Sequence, residues 1–551
     1  MADPINGGRV IARVLAASGV RNLFCLQGGH IDPILYGCED EGIRVIDTRH
    51  EQAAAHMAEG WARATGDTGV CAVTAGPGLS DAVTGLANAY MEGSPMLCLA
   101  GARPISQADT WPLQDLDQVG IVSPTTNWAR SCVTASRIGE YTTLALAQAR
   151  NGRPGPVYLD VPVDVLGKDL PDDTPVTAYT PPAPPAPEPA ALERASRLLQ
   201  RAERPIVLVG SGAHWSRAGS ALAQLSETAG LPILTFNQGR GVLPDEHPWS
   251  FSLAQLFTEA FAADVVVCLG LRLGWTLMGG RLFGDTPLIR VDLDAAETSR
   301  NRPGEINLVA DVRVFCEQLA NGWEGGISPA RNRWAERLRD AAESSREAMQ
   351  KMLARRDPQK PIHPLQLVTT AVEAAGPEAS FVGDGGNILT WASAGFPARA
   401  PGRILATGSY LGCLGVGIPF ALAAKLARPA HPVILVEGDG AFGLNAMEFD
   451  TALRHDIPFV CLVANDASWG MSRHGQLDHH SGRTVATELG VRPYHEVVRA
   501  LGGHGEQVEA VGELRPAIDR ALASGLPACV NVVIDRDVAS PFSGMMTGSG
   551  E

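Results

Sequence analysis

The sequence predicts an α/β protein built from three doubly wound domains with mostly parallel sheets. Short apolar runs alternate with segments of helical period, beginning with NLFCL, IRVIDT, GVCAVTA and PMLCLAG. Such alternation is the signature of parallel strands joined by crossover helices. A chain of 551 residues also exceeds one hydrophobic core and suits roughly three units of ~150 residues. A proline-rich stretch, PDDTPVTAYTPPAPPAPEPA, and a charged stretch of helical period, SPARNRWAERLRDAAESSREAMQKMLARR, expected to bridge to the last domain as a solvated helix, punctuate the chain. The expected division is a first domain over 1–170, a linker over 171–189, a middle domain over 190–335, a helical linker over 336–361 and a last domain over 362–551.

The middle domain repeats the pattern with RPIVLVGSGAHW, LPILTF, DVVVCLGLRL and LIRVDLD as strands. Its single glycine turn, VLVGSG, is poor evidence for a nucleotide. In the last domain, Val433–Val436 and Phe459–Val463 read as buried parallel strands around an amphipathic helix over Ala446–Arg454.

Composition excludes several function classes. Lys plus Arg total 45 against 60 for Asp plus Glu, a formal charge of -15, which argues against nucleic-acid or anionic-membrane partners. The start, MADPINGGRV, has neither the basic nor the apolar region of a leader, and no apolar stretch of ~20 residues occurs, so a cytoplasmic protein is expected. The ten cysteines form no CxxC pair and read as small buried hydrophobes.

Chemistry concentrates in HPVILVEGDGAFGLNAMEFDTALRHDIPFVCLVANDASWG, residues 431–470. A right-handed strand, helix, strand unit puts Asp439 and Asn465 at the same sheet edge, where their oxygens and a carbonyl near Ala467 suit Mg²⁺. Gly438 and Gly440 allow a tight turn with amides facing an anion. In the first domain, three loops at strand ends carry candidate groups: Gln27-Gly28-Gly29-His30, Arg49-His50-Glu51 and Ala75-Gly76-Pro77-Gly78.

The GDG followed some two dozen residues later by Asn resembles the metal and diphosphate motif of thiamine diphosphate enzymes, with Ala464 where the family usually has the first of two Asn. RHEQAAAHMAEGWARATG followed by VTAGPG resembles the pyrimidine-binding domain of the acetolactate synthase group. FCLQGGHIDPILYG, PLQDLDQVGIVSPTTNWAR and SYLGCLGVG are most similar to benzaldehyde lyase and related carboligases. The resemblance makes Glu51 the carboxyl group that activates the aminopyrimidine, and places His30 and Gln114 in the substrate pocket. It assigns the metal to Asp439, Asn465 and the Ala467 carbonyl. It assigns cofactor contacts to Gly76, Asn387, Gly412, Leu414, Gly438, Gly440, Ala441 and Gly470.

Leu414 would support the thiazolium and the Gly412 carbonyl would take a 4'-amino proton; Trp469 and Met471 would wall the pocket. SWGMSRHGQLDHHSGRTVATELG is expected to be a polar loop over the substrate, with His474, His479 and His480 solvated. The tail after Ile534 either frays or covers the pocket. The middle domain's ligand stays open among FAD, a nucleotide such as ADP or CoA, and none. Because the activating Glu and the metal loop come from different subunits in this family, at least a homodimer is implied, and a homotetramer as in related carboligases.

The function implied is a thiamine diphosphate- and Mg-dependent carbon-carbon lyase or carboligase acting on 2-hydroxy ketones and aldehydes through an enamine. A 2-oxo acid decarboxylase or acetolactate-type synthase, a 2-hydroxyacyl-CoA lyase, and a degenerate binding subunit are the alternatives.

Overall fold

The computed structural model describes residues 5–252, 262–357 and 359–540. Three six-stranded, wholly parallel sheets organise it. The first holds β1 (Asn22–Cys25), β2 (Arg44–Asp47), β3 (Gly69–Val73), β4 (Met96–Ala102), β5 (Trp128–Ser131) and β6 (Pro156–Pro162), in the order β2-β1-β3-β4-β6-β5. The second holds β7 (Pro205–Val209), β8 (Ile233–Thr235), β9 (Ser250–Ser252), β10 (Val265–Leu269), β11 (Leu288–Asp292) and β12 (Ile306–Val309), ordered β12-β11-β10-β7-β8-β9. The third holds β13 (Ser380–Asp384), β14 (Ile404–Ala406), β15 (Val433–Gly438), β16 (Val460–Asn465), β17 (His504–Val508) and β18 (Ala528–Val533), ordered β14-β13-β15-β16-β18-β17.

The central strands are buried on both faces, as the continuous apolar runs require: Val433–Val436 and Cys461–Val463 are almost without solvent contact. Strand order reverses between β1 and β3, between β7 and β10, and between β13 and β15. Doubly wound sheets open a crevice at such reversals, beside the carboxyl ends of the strands. Each of the three domains therefore offers one crevice.

The first and last domains pack through two helices. Helix Glu51–Thr65 lies on helix Gly417–Ala427, and a Cβ on Gly60 would come within 2.9 Å of the Phe420 ring, so glycine sets the approach. Buried Glu59 accepts from Arg63, Asn88 and Ser94, and Arg63 also reaches the Ala406 carbonyl. Every member of that buried network has a partner across the interface or beside it.

Helix Pro329–Ala354 joins the middle and last domains, and here the expectation of a solvated helix needs correction. Trp334, Leu338 and Ala342 are buried against the middle-domain core, and Met349 and Leu353 pack on the last. Buried Arg331 is bonded to the carbonyls of Ala202, Ala229 and Leu199. The charged residues occupy the opposite face, which hid the apolar stripe from a reading by composition.

The stretch after β15 also differs from expectation. One helix begins at Asp439 (Asp439–Asn445) and a second covers Glu448–Arg454. Asn445 ends the first by donating to the Gly415 carbonyl at 2.6 Å. No helix of the described residues is long and apolar enough to cross a membrane.

Candidate active site

At the reversal between β13 and β15 lies a cavity of about 470 Å³. Three helices begin at its wall: Asn387–Gly395, Asp439–Asn445 and Gly470–His479. Their first amides have no partners within their own helices, and the helix dipoles add positive potential, so an anion of diphosphate size suits the place. Asn387 is buried with its Oδ1 unpartnered, while its Nδ2 donates to the Val538 carbonyl at 3.0 Å.

Gly412, Leu414, Gly438, Asp439, Gly440, Ala441, Trp469, Gly470 and Met471 line this cavity with Asn387. The loop bearing Gly412 and Leu414 is held from beneath by buried Asp384. Its carboxylate accepts from the amides of Gly385, Gly415 and Gly417 and from Thr407 Oγ1, at 2.6 to 2.9 Å. Gly412 takes a φ of 68°, a conformation that favours glycine.

Asp439 is buried, accepts from the Gly440 amide at 3.0 Å through Oδ1, and has no partner at Oδ2. Burial raises its pKa, and the carboxylate of Asp466 raises it further. Asp466 is raised in turn by burial, against the Ser468 hydroxyl and amide, which both donate to Oδ1 at 3.0 Å. Two buried carboxylates that disfavour each other's charge, one with an oxygen unpartnered, form a donor set that fits a hard divalent cation.

Asn465 and Ala467 do not belong to this wall. Along the end of β16 it is Ala464, Asp466 and Ser468 that face the cavity, because side chains alternate between faces with a period of two. Asn465 is turned toward β18, where Nδ2 donates to Asn531 Oδ1 and to the Arg492 carbonyl, both at 3.1 Å. Its Oδ1 accepts from the Ala467 amide at 3.2 Å. Beside the expected pair Asn465 and Ala467, it is thus Asp466 and Ser468, each one position further on, that face the cavity. Gly470 makes this possible, since a Cβ there would strike Asp466 Oδ2.

The segment expected to be a loop is helical in its first half and irregular over residues 480–490. Residues 470–479 form a helix, and His474 is buried with its pKa lowered by burial, while His479 and His480 are exposed. Among the described residues no group of three or more His, Cys, Asp or Glu is placed to hold a metal. Of the tail expected to fray or cover the pocket, Ile534 lines the cavity and the Val538 carbonyl meets Asn387, while residues 541–551 lie outside the described residues.

A second cluster sits at the reversal between β1 and β3. His30 Nδ1 lies 3.1 Å from Thr74 Oγ1, and Thr74 Oγ1 donates to Gln114 Oε1 at 3.5 Å. Glycines make the crowding possible: a Cβ on Gly101 would strike His30, one on Gly28 would lie 2.5 Å from Thr74 Cβ, and one on Gly76 would lie 2.9 Å from Gln114 Cβ. Gln114 itself holds a φ of 61°, costly for a residue with a side chain and maintained here by tight surroundings. Gln118 ties the loops together, accepting from the Gly76 amide at 2.8 Å and donating to the Gly101 carbonyl and to Asp160.

Glu51 opens its helix after β2, with His50 as N-cap accepting the Gln52 amide at 3.0 Å. Its Oε1 is 3.5 Å from where a Gly78 Cβ would stand, which sets it beside Thr74. Burial raises its pKa, and Asp81 adds to the rise against its own amide and His50. The direction of this shift favours the protonated form, as a carboxyl group that holds a proton requires.

Within one chain the two clusters stay apart: none of His30, Glu51, Gly76 and Gln114 lines the 470 Å³ cavity. Thr74, Gln118, Asp466 and Ser468 were missed at the level of sequence. For Asp466 a signal existed, since it is the acid nearest the end of β16. For Thr74 only the fold reveals the contact.

The middle-domain crevice is nearly closed. The turns after β7 and β10 meet, with the Gly212 amide donating to the Gly270 carbonyl at 3.0 Å. About 50 Å³ is left among Arg153, Trp215, Arg272, Asp292 and Tyr410, far below the ~300 Å³ at which ligand pockets begin. Both guanidiniums already donate to first-domain carbonyls, Arg153 to Tyr90 and Arg272 to Met91. The 470 Å³ cavity also borders this domain, at Phe236, Asn237, Gln238, Trp275 and Thr276.

Residues 5–121, 192–319 and 384–532 match the N-terminal TPP binding, central and C-terminal TPP binding domains of thiamine pyrophosphate enzymes. The chain is 39% identical over 546 residues to a probable acetolactate synthase of Mycobacterium bovis, covering 98% of each. It is 35% identical to 2-hydroxyacyl-CoA lyase 2 of Bos taurus, covering 97% of this chain and 91% of that protein. It is 30% identical to 2-hydroxyacyl-CoA lyase of Oryza sativa, over 99% and 97%. The chain belongs to the thiamine pyrophosphate enzymes, in the acetolactate synthase group, and is a thiamine diphosphate-dependent enzyme of the carbon-carbon lyase and carboligase kind.

Proposed function

We propose that the enzyme cleaves and joins the carbon-carbon bond of 2-hydroxy ketones, releasing or adding an aldehyde. The observation that carries this reading is the His30, Thr74, Gln114 cluster beside Glu51: neutral hydrogen-bonding groups suited to a hydroxyl and a carbonyl. Thiamine diphosphate, when bound, supplies a carbon nucleophile for a carbonyl group. Asp439, Asp466 and the Ser468 carbonyl would hold Mg²⁺, and the three helix N-termini would hold the diphosphate. Glu51 would keep a proton at the aminopyrimidine, His30 would exchange one with the substrate hydroxyl, and Gln114 would orient that hydroxyl.

A carboxylate-bearing 2-oxo acid finds less support. The cavity's cations are Arg63 and Arg240, and both are already engaged, by Glu59 and Asp245. The lyase reading extends to 2-hydroxyacyl thioesters, favoured by the relatives named 2-hydroxyacyl-CoA lyase. Such a substrate would present its acyl end to the His30, Thr74, Gln114 cluster.

The separation of the two clusters supports an active site completed by a second copy, so that a homodimer is the smallest working unit. Trp111 is 92% and Leu113 79% exposed next to Gln114, an apolar surface that such a contact would cover. A homotetramer and a cytoplasmic location complete the proposal.

The test is mass-spectrometric product analysis of the cofactor-loaded enzyme with benzoin, acetoin, pyruvate and a short 2-hydroxyacyl-CoA in parallel. Aldehyde from a hydroxy ketone is the expected result. Carbon dioxide from pyruvate as the dominant product would overturn it in favour of the decarboxylase and synthase branch, and formyl-CoA alone would move it to the thioester branch.

A further inference from the structure

Thr74 is hydrogen-bonded through its hydroxyl to both His30 and Gln114. It stands just past β3, is 9% exposed, and is wedged between Gly28 and Gly78, where a Cβ on either would press within 2.8 Å of its atoms. Its hydroxyl cannot rotate away without losing both neighbours. A threonine hydroxyl has one proton to give and can accept in return. With that proton directed to Gln114 Oε1, the bond to His30 requires the imidazole Nδ1 to be the donor.

We propose that Thr74 is a positioning residue that holds His30 in its Nδ1–H tautomer, leaving the Nε2 lone pair as the base that meets the substrate. A free neutral imidazole prefers the opposite, Nε2–H form, so the tautomer needs an enforcing partner. His30 Nε2 makes no hydrogen bond among the described residues and is the open end of the pair. Burial lowers the pKa of His30, which keeps the ring neutral and the lone pair available near pH 7. The chain of support continues beneath, because Gln118 anchors the Gly76 turn against which Gln114 packs and is itself bonded to buried Asp160. One hydroxyl thus connects a loop from each of three adjacent strands, β1, β3 and β4.

This inference rests on the lyase reading for its catalytic meaning, but the tautomer can be read without turnover. Diethyl pyrocarbonate modifies an unprotonated imidazole nitrogen, and the rate at His30 is measurable by peptide mass spectrometry on the thiamine diphosphate- and Mg²⁺-loaded protein. Thr74→Val keeps the volume and removes the hydroxyl; Thr74→Ser keeps the hydroxyl. The expected result is a rate at His30 about threefold or more slower in Thr74→Val, restored in Thr74→Ser. Equal rates in all three proteins overturn the proposal, whatever the substrate proves to be. Should Thr74→Val not fold, Thr74→Ser and Thr74→Cys provide the same comparison with a strong and a weak donor, and equal rates in those two overturn it likewise. In kinetics, Thr74→Val should lower kcat about tenfold with little change in KM, and should have no further effect in a His30→Ala background. Additive losses there would overturn the assignment while leaving the lyase reading standing.

Discussion

Glu448 of the last domain accepts the main-chain amide of Arg49 with both carboxylate oxygens, at 3.0 and 3.2 Å, two residues before Glu51. The turn that leads into Glu51 is therefore anchored by a different domain of the same chain. Thr451 Oγ1 completes the anchor by donating to Glu448 at 2.6 Å.

That anchor makes stability depend on pH. Burial pushes the Glu448 carboxyl up to about 7, above the ordinary value of 4.5 that it has when unfolded. As pH rises from 4.5 toward 7 the unfolded chain gives up this proton first, so the native state is the one that holds more protons and stability falls. Glu448→Gln should abolish this component, melting less steeply with pH between 5 and 7.5, by on the order of 1–3 kcal/mol across the window. Identical slopes for the two proteins in differential scanning calorimetry would refute it.

Glu51→Gln should lower kcat by about 10²-fold or more, the usual weight of a positioned acid-base group. The same variant should keep the thermal shift given by thiamine diphosphate with Mg²⁺. Loss of the shift together with activity would recast Glu51 as a binding residue only.

The proposed placement of Mg²⁺ against Asp466 and Ser468, in place of Asn465 and Ala467, is testable directly. Asp466→Ala should abolish the Mg²⁺-dependent thermal shift with thiamine diphosphate, and Asp466→Asn, which keeps an oxygen ligand, should retain most of it. Asn465→Ala should leave the shift and cost stability by about 1–3 kcal/mol, because it strands Asn531 Oδ1 and the Ala467 amide, which Asn465 now satisfies. A reversed pattern would return the metal to Asn465.

If two chains complete each site, variants defective in different clusters should rescue each other. Glu51→Gln and Asp439→Ala proteins, each inactive, should regain roughly a quarter of wild-type turnover after subunit exchange, from the sites that receive neither change. No regain on confirmed exchange would place both clusters of a working site in one chain.

The sequence by itself determined the three parallel sheets, since runs such as VILV and CLV can only be doubly covered strands. It also identified the loops that matter, because function in a doubly wound fold belongs at strand ends, and Glu51, His30, Gln114 and Asp439 all lie there. What it could not decide was which neighbour in a run faces the cavity. Asn465 and Asp466 differ by one position, and a slip of one residue in a strand exchanges its faces. Only the register of β16 against β15 and β18 resolves that choice. The Thr74 bridge and the meeting of the two middle-domain turns were hidden for a related reason. Both depend on how closely two turns approach, at Gly28 and Gly78 in one case and at Gly212 and Gly270 in the other, and such distances are set by tertiary packing.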